Sequence, residues 1–145
     1  MANYVMEMST DPDILATDLN PSWNPITARY NWAQVSGMNL NVPNGATIVV
    51  IAHGNGNEIG NAQPGTIDID ALTFLANIQA NMALNSFPAA IYISTCGPGI
   101  ALFAAAVRIA AENNVIWNNT RIFGHDTAVA GEVPSANSLS WIEIF

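Results

Sequence analysis

Two uninterrupted apolar runs, Ala46-Thr47-Ile48-Val49-Val50-Ile51-Ala52 and Ala89-Ala90-Ile91-Tyr92-Ile93-Ser94, constrain this chain more than any other feature. Neither alternates polar with apolar residues, and both are rich in β-branched and aliphatic side chains. Each therefore predicts a strand buried on both faces. The first opens after the turn Pro43-Asn44-Gly45 and the second after Phe87-Pro88. Between them, from about Asp68 to Leu84, Ile69, Leu72, Leu75, Ile78 and Met82 recur at helical spacing. Asp68 and Asp70 fall in the first turn of that predicted helix, where the positive dipole end favours acids. A second helix, apolar nearly all round, is predicted to follow the stretch Thr95-Cys96-Gly97-Pro98-Gly99 and to run to about Asn113. Strand, helix, strand, helix in that order predicts an α/β fold: a mainly parallel sheet with right-handed crossovers and helices on both faces, hence three layers.

The flanks are less patterned. Residues 2–8 and 28–35 each read as a strand, and two more are expected near 120–124 and 139–145. The stretch holding Asp11-Pro12-Asp13, Pro21 and Pro25 is dense in proline and acid, which argues against regular structure there. The segment from Gly54 to Gly65 is rich in glycine and asparagine and reads as an exposed connection. With no internal repeat and no long linker, the 145 residues are expected to form one domain, 1–145.

Charge removes several classes of partner. Eleven acidic residues face three arginines and no lysine, a formal charge of −8. Such a surface opposes nucleic acid and anionic lipid, so no nucleic-acid and no membrane partner is expected. No apolar stretch approaches the roughly 18 residues that cross a bilayer. One cysteine cannot make an internal disulfide, and the start Met1-Ala2-Asn3-Tyr4 lacks the basic-then-apolar layout of a secretory signal, so a cytoplasmic location is expected. Missing lysine, the ubiquitin acceptor, fits compositional bias, or else a protein delivered into a eukaryotic cell. With two histidines, one cysteine and no paired spacing of either, no metal site is expected.

The chemistry concentrates at two positions. His53 follows the first buried run directly, and Cys96 follows the second after Thr95. If those strands are neighbours, both residues reach the carboxyl edge of the sheet, where ligands gather in such folds. Cys96 stands where a strand gives way to a helix through Gly97-Pro98-Gly99, with Pro98 suited to a first helical position. A helix N-terminus lowers a thiol pKa and offers N–H groups to an anion. His53 is the side chain suited to exchanging a proton near neutrality, and the N–H groups of Gly54 and Cys96 suit an oxyanion hole. Against this stand plainer roles: a small core thiol, and a histidine that merely satisfies a loop.

Ile48-Val49-Val50-Ile51-Ala52-His53-Gly54 and Ile91-Tyr92-Ile93-Ser94-Thr95-Cys96-Gly97 resemble the paired blocks of the caspase-like cysteine peptidases. That group includes caspases, gingipains, legumain, CHAT-domain peptidases and the autoprocessing domains of bacterial toxins. In it one apolar strand ends in His-Gly, and a later one ends in a small residue followed by the catalytic cysteine. The resemblance covers about residues 46–113 and is closer to the bacterial members than to true caspases. It implies a fold of about six strands, a catalytic dyad of His53 and Cys96, an oxyanion hole from Gly54 and Cys96, and hydrolysis of a peptide or protein substrate. Gly97-Pro98 stands where caspases carry a basic residue and glycine, so specificity for aspartate is not carried over. The toxin domains are switched on by inositol phosphates through a basic surface, which three arginines do not supply, and no cofactor is expected.

Glu58, Asp68, Asp70 and Asp126 are acids that could pair with a basic substrate side chain, although capping helices and keeping the surface soluble are their more ordinary roles. Two other readings compete. His53-Gly54-Asn55-Gly56 is also similar to the oxyanion loop of an α/β-hydrolase, with Cys96 in a nucleophile elbow paired to His125. A non-enzymatic interaction domain would instead use Trp23, Trp32, Trp117 or Trp141 as anchors.

Overall fold

The computed structural model describes residues 2–95, 99–125 and 132–144. In chain order the elements are β1 (Asn3–Glu7), α1 (Pro12–Leu15), β2 (Asp18–Leu19), a 3-10 turn at Pro21–Trp23, β3 (Ile26–Tyr30), α2 (Trp32–Ser36) and β4 (Thr47–Gly54). They continue with β5 (Glu58–Gly60), β6 (Asp68–Asp70), α3 (Ala71–Ala80), β7 (Ala90–Thr95), α4 (Ile100–Asn113), β8 (Arg121–Gly124), β9 (Glu132–Val133) and β10 (Ile142–Ile144). The fold is α/β. The main path of its eight-stranded sheet runs in the order β10-β8-β7-β4-β1-β3, every pairing along it parallel except that of β10 with β8, and β5 and β6 pair antiparallel off β4. No helix among the described residues is long and apolar enough to cross a membrane.

The two apolar runs are the central strands β4 and β7. Ile48, Val50 and Ala52 enter one core while Val49 and Ile51 enter the other, which is why no polar residue interrupts the run. On the first face Phe74 and Ile78 of α3 and Phe103 and Val107 of α4 cover the sheet, with Phe74 and Phe103 meeting edge-to-face at 5.6 Å. On the second face Tyr92 stacks on Phe123 at 4.3 Å, and Trp23 and Trp141 each stand edge-on to Tyr92 at 5.0 Å. The indole N–H of Trp23 donates to Pro134 O and that of Trp141 to Ser135 O, so burial leaves neither donor unpaired.

Helices lie on both faces of the sheet, as expected, but unequally. Steps from β3 to β4, β4 to β7 and β7 to β8 all move the same way across the sheet, and α2, α3 and α4 all bury residues in the same core. The single step in the other direction, from β1 to β3, carries α1, whose Ile14 is buried in the opposite core. Uniform crossover handedness requires this arrangement. The second face is therefore roofed by α1, the 3-10 turn, the β2–β9 pair and tryptophans rather than by a long helix.

Other boundaries moved for local reasons. The strand expected over 28–35 stops at Tyr30, because Asn31 and Gln34 cap each other reciprocally and start α2. The helix expected from Asp68 begins at Ala71: Asp68-Ile69-Asp70 alternates and pairs with β5, and Asp70 then caps α3 by accepting from Thr73 N at 2.8 Å. Glycine-rich 54–65 is not wholly an open connection, since β5 lies in it and Ile59 is buried. The proline and acid density at 11–13 starts a helix, Pro12 taking its first turn. Of the described residues in the segment 139–145, Ile142–Ile144 form strand and 139–141 do not; residue 145 lies outside the described residues. Gly99, at φ +79°, is the N-cap of α4, whose first helical residue is Ile100, and the Pro98 expectation falls outside the described residues.

Candidate functional site

The two central strands run parallel and in register, with Ala52 opposite Thr95. His53 is the next residue of β4, and Cys96 is the next residue of the chain after Thr95. Cys96, like its neighbours Gly97 and Pro98, lies outside the described residues, as does Asp126. On the other side of β4 lies β1, paired through Glu7 with Ile51 and prolonged by Met8 N donating to Ile51 O. The chain leaves β1 toward β3 and leaves β4 toward β7, so the strand order reverses between them. Such a reversal opens a crevice at the carboxyl ends. His53 stands in it, its side chain 21% exposed.

The segment after β1 meets that imidazole. Nε2 of His53 lies 3.0 Å from Oδ1 and 2.9 Å from Oδ2 of Asp13, and 3.4 Å from Oδ2 of Asp11. Asp11 is the N-cap of α1, yet its carboxylate does not cap its own helix; it accepts from Ala62 N at 2.8 Å. Asn61 fixes the same corner. Its Oδ1 accepts from Ser9 Oγ at 2.6 Å and from Thr10 N at 2.8 Å, and its Nδ2 donates to Thr10 Oγ1. Two loops more than 50 residues apart in sequence are thereby stitched into one wall beside His53. The hydrogen bond from His53 holds the Asp13 carboxyl below its usual range.

With Nε2–H given to a carboxylate, Nδ1 is the ring nitrogen left for exchanging a proton with a reacting group. Asp13 is then placed to orient the ring. The same donor atoms of Asp11, Asp13 and His53 lie within 4.8 Å of one another and could hold a metal ion. That use would compete for Nε2, so the cluster is either a proton-transfer unit or a ligand set. Sequence reading missed both aspartates. The signal was present in Asp11-Pro12-Asp13, an N-cap residue followed by proline directly after a strand.

Gly54 pairs with Ile59 of β5, and an added Cβ would stand 2.7 Å from Ile59 Cγ2 and 3.1 Å from Glu58 O. The glycine thus has a packing reason of its own besides any catalytic one. A cavity of about 260 Å3 adjoins His53 and Gly54 and is bounded by Glu58, Gly60, Asn61 and Asp68. A larger one, about 540 Å3, opens at the amino ends of β4 and β7 among Asn44, Phe87, Trp117 and Asn118. No acid, base or thiol lines it, whereas the smaller cavity has the imidazole of His53 in its wall.

The residues of the competing readings fare differently. His125 follows β8, on the far side of β7 from β4, and is wholly buried with its ring 5.3 Å from that of Trp141. Trp23, Trp117 and Trp141 are buried, which leaves only the half-buried Trp32 as a surface anchor. No family model, curated protein or solved structure matches this chain.

Proposed function

We propose that this chain is a cysteine peptidase of the caspase-like group, a three-layer α/β enzyme in which Cys96 and His53 hydrolyse a peptide bond. The Cys96 thiolate attacks the scissile carbonyl carbon, and the oxyanion accepts from the N–H groups of Gly54 and Cys96. As the tetrahedral species collapses, the C–N bond breaks and His53 delivers a proton from Nδ1 to the leaving amine. Water, losing its proton to His53, then cleaves the thioester and regenerates the thiol. Asp13, on Nε2, keeps the ring oriented through both transfers.

The observation carrying this reading is the register pair Ala52–Thr95 on adjacent central strands. Parallel neighbours about 4.8 Å apart reach the same sheet edge, and one residue further along the chain the sequence supplies an imidazole from one and a thiol from the other. Six of the sheet's eight strands lie along its main path, β5 and β6 being attached off β4, and six is the number the resemblance implies. Exposure of His53 and burial of His125 favour the first histidine over the second as the partner.

Two measurements test it. Iodoacetamide should alkylate Cys96 quickly at neutral pH, at least tenfold faster than in His53→Ala. A peptide library should be cut by the wild type, and not by Cys96→Ala or His53→Ala. Loss of turnover in folded His125→Ala with His53→Ala unaffected would instead establish the hydrolase-like pairing, and indifference to both would establish a binding module.

A further inference from the structure

We propose that the larger cavity, at the amino end of the sheet, binds a neutral saccharide, and that this site is separate from the crevice at His53 and independent of its chemistry. It spans about 540 Å3, within the roughly 300–1,000 Å3 of small-ligand sites. The loops that lead into β4, β7 and β8 form it, and they are tied to one another. Gly45 N donates to Phe87 O at 3.0 Å, Phe87 N to Asn44 Oδ1 at 2.9 Å, and Thr120 Oγ1 to Pro88 O at 2.7 Å. Gln79 of α3 joins two of the loops, accepting from Trp117 Nε1 at 2.8 Å and donating to Ser86 O at 2.9 Å. The hollow is thus held open by the protein's own bonds, before any ligand enters.

Its lining holds groups that folding leaves unused. Phe87 is 41% exposed and Val115 75% exposed, although both are apolar. Val115 also stands at φ +56°, directly after the C-cap of α4. A helix end of this kind ordinarily carries glycine, so a β-branched residue there strains the backbone and adds nothing to the core. Asn85 and Trp117 share the left-handed conformation, so three of the five non-glycine residues at positive φ among the described residues line this one space. Strained backbone of this sort gathers at binding sites. Four carboxamides, those of Asn44, Asn85, Asn118 and Asn119, line it as well, and among the described residues the last three have no side-chain hydrogen-bond partner.

These groups define the ligand by its chemistry. No charged side chain lines the cavity, so an ion would lose water with nothing to balance it. A carboxamide both donates and accepts, as a hydroxyl does, and the exposed ring of Phe87 with the methyls of Val115 suits the C–H face of a pyranose. An extended peptide fits less well. It presents its N–H and C=O groups in a line to a strand edge, and β4, β7 and β8 each already have strands on both sides.

The test titrates the full nitrogen-15-labelled chain with maltose, cellobiose, lactose and N,N′-diacetylchitobiose, and in parallel with sodium glucuronate and with acetyl-tetraalanine amide. At least one disaccharide should saturate with a Kd of about 1 mM or tighter, moving the side-chain amide signals of Asn85, Asn118 and Asn119, while glucuronate and the peptide leave them in place. Asn118→Ala and Phe87→Ala should each weaken that binding about tenfold, and Asn113→Ala, outside the cavity, should not. Should Phe87→Ala fail to fold, Asn118→Ala alone decides. The assignment is overturned if no disaccharide saturates these signals, if folded Asn118→Ala binds as tightly as wild type, or if glucuronate or the peptide binds there as well as any disaccharide.

Discussion

The carboxylate of Asp13 meets Nε2 of His53 at 2.9 Å although 40 residues separate them in the chain. Asp13 comes from the first turn of α1, after β1, and His53 from the end of β4, so the contact exists only because those strands are adjacent. Asp13 is 63% exposed and Asp11 stands 3.4 Å from the same nitrogen, so the second acid partly replaces the first. Asp13→Asn should therefore lower kcat about tenfold, and the double Asp11→Asn, Asp13→Asn variant about a hundredfold, with KM little changed. Stopped-assay kinetics on one peptide substrate measure both. Activity undiminished by EDTA separates this role from metal ligation by the same three groups.

The central strands were legible because burial on both faces leaves an unbroken apolar run, and Ile48 to Ala52 and Ile91 to Ser94 have one. The neighbours of His53 were not. Proline and acid density hid α1, since Asp11-Pro12-Asp13 suits a turn as well as a helix start. Nothing local declares that β1 lies beside β4, and without that order Asp13 and His53 are merely two polar residues. The β5–β6 hairpin was equally hidden: three-residue strands among glycine and asparagine carry too few side chains for a period to emerge. Hence the two halves of the cavity, Glu58 and Asp68, were seen separately but not as one wall.

Arg29 links the outer strand to the acid-bearing segment. Its Nε donates to Glu7 Oε2 at 2.6 Å, its Nη1 to Thr17 O at 2.8 Å and its Nη2 to Leu15 O at 3.3 Å. Glu7 is buried and Arg29 is not fully so. Arg29→Met should cost about 1–3 kcal/mol in urea unfolding, chiefly because Glu7 is left without its partner. It should also lower kcat severalfold by loosening the end of α1 and with it the hold of Asp13 on His53. Adding Glu7→Gln should restore part of the stability but not the rate, because the clamp on α1 stays broken.

Asp70 gives a pH dependence of defined sign. Its carboxyl is held below the ordinary value by the N–H of Thr73 at the start of α3. A group whose folded-state pKa is depressed stabilises fully above its unfolded value, ~3.9, and loses that contribution as pH falls through the folded value. Asp70→Ala should therefore cost about 1 kcal/mol at neutral pH, and the gap to wild type should narrow once the pH drops below ~4. Thermal melts of the two proteins between pH 7 and pH 2.5, roughly the span over which a cap carboxylate titrates, follow it. A gap that stayed constant across that range would show that Asp70 acts through packing instead.

Gly60 holds the wall of the cavity where no other residue fits. It pairs with His53 across the β4–β5 ladder at φ +146°, and a Cβ there would stand 1.9 Å from Ile67 O. The obstacle is backbone of the adjoining turn, which cannot swing aside as a side chain would. Gly60→Ala should cost about 2–4 kcal/mol and push β5 and β6 away from His53, so cleavage is lost along with stability. Gly45 is the matched comparison: its φ is +81°, but nothing lies within 4 Å of an added Cβ. Gly45→Ala should cost only the ~1–2 kcal/mol of a left-handed alanine and leave turnover at wild-type level wherever the protein remains folded. Equal losses of activity in the two folded variants would show that general strain, rather than the position of the hairpin against His53, governs the site.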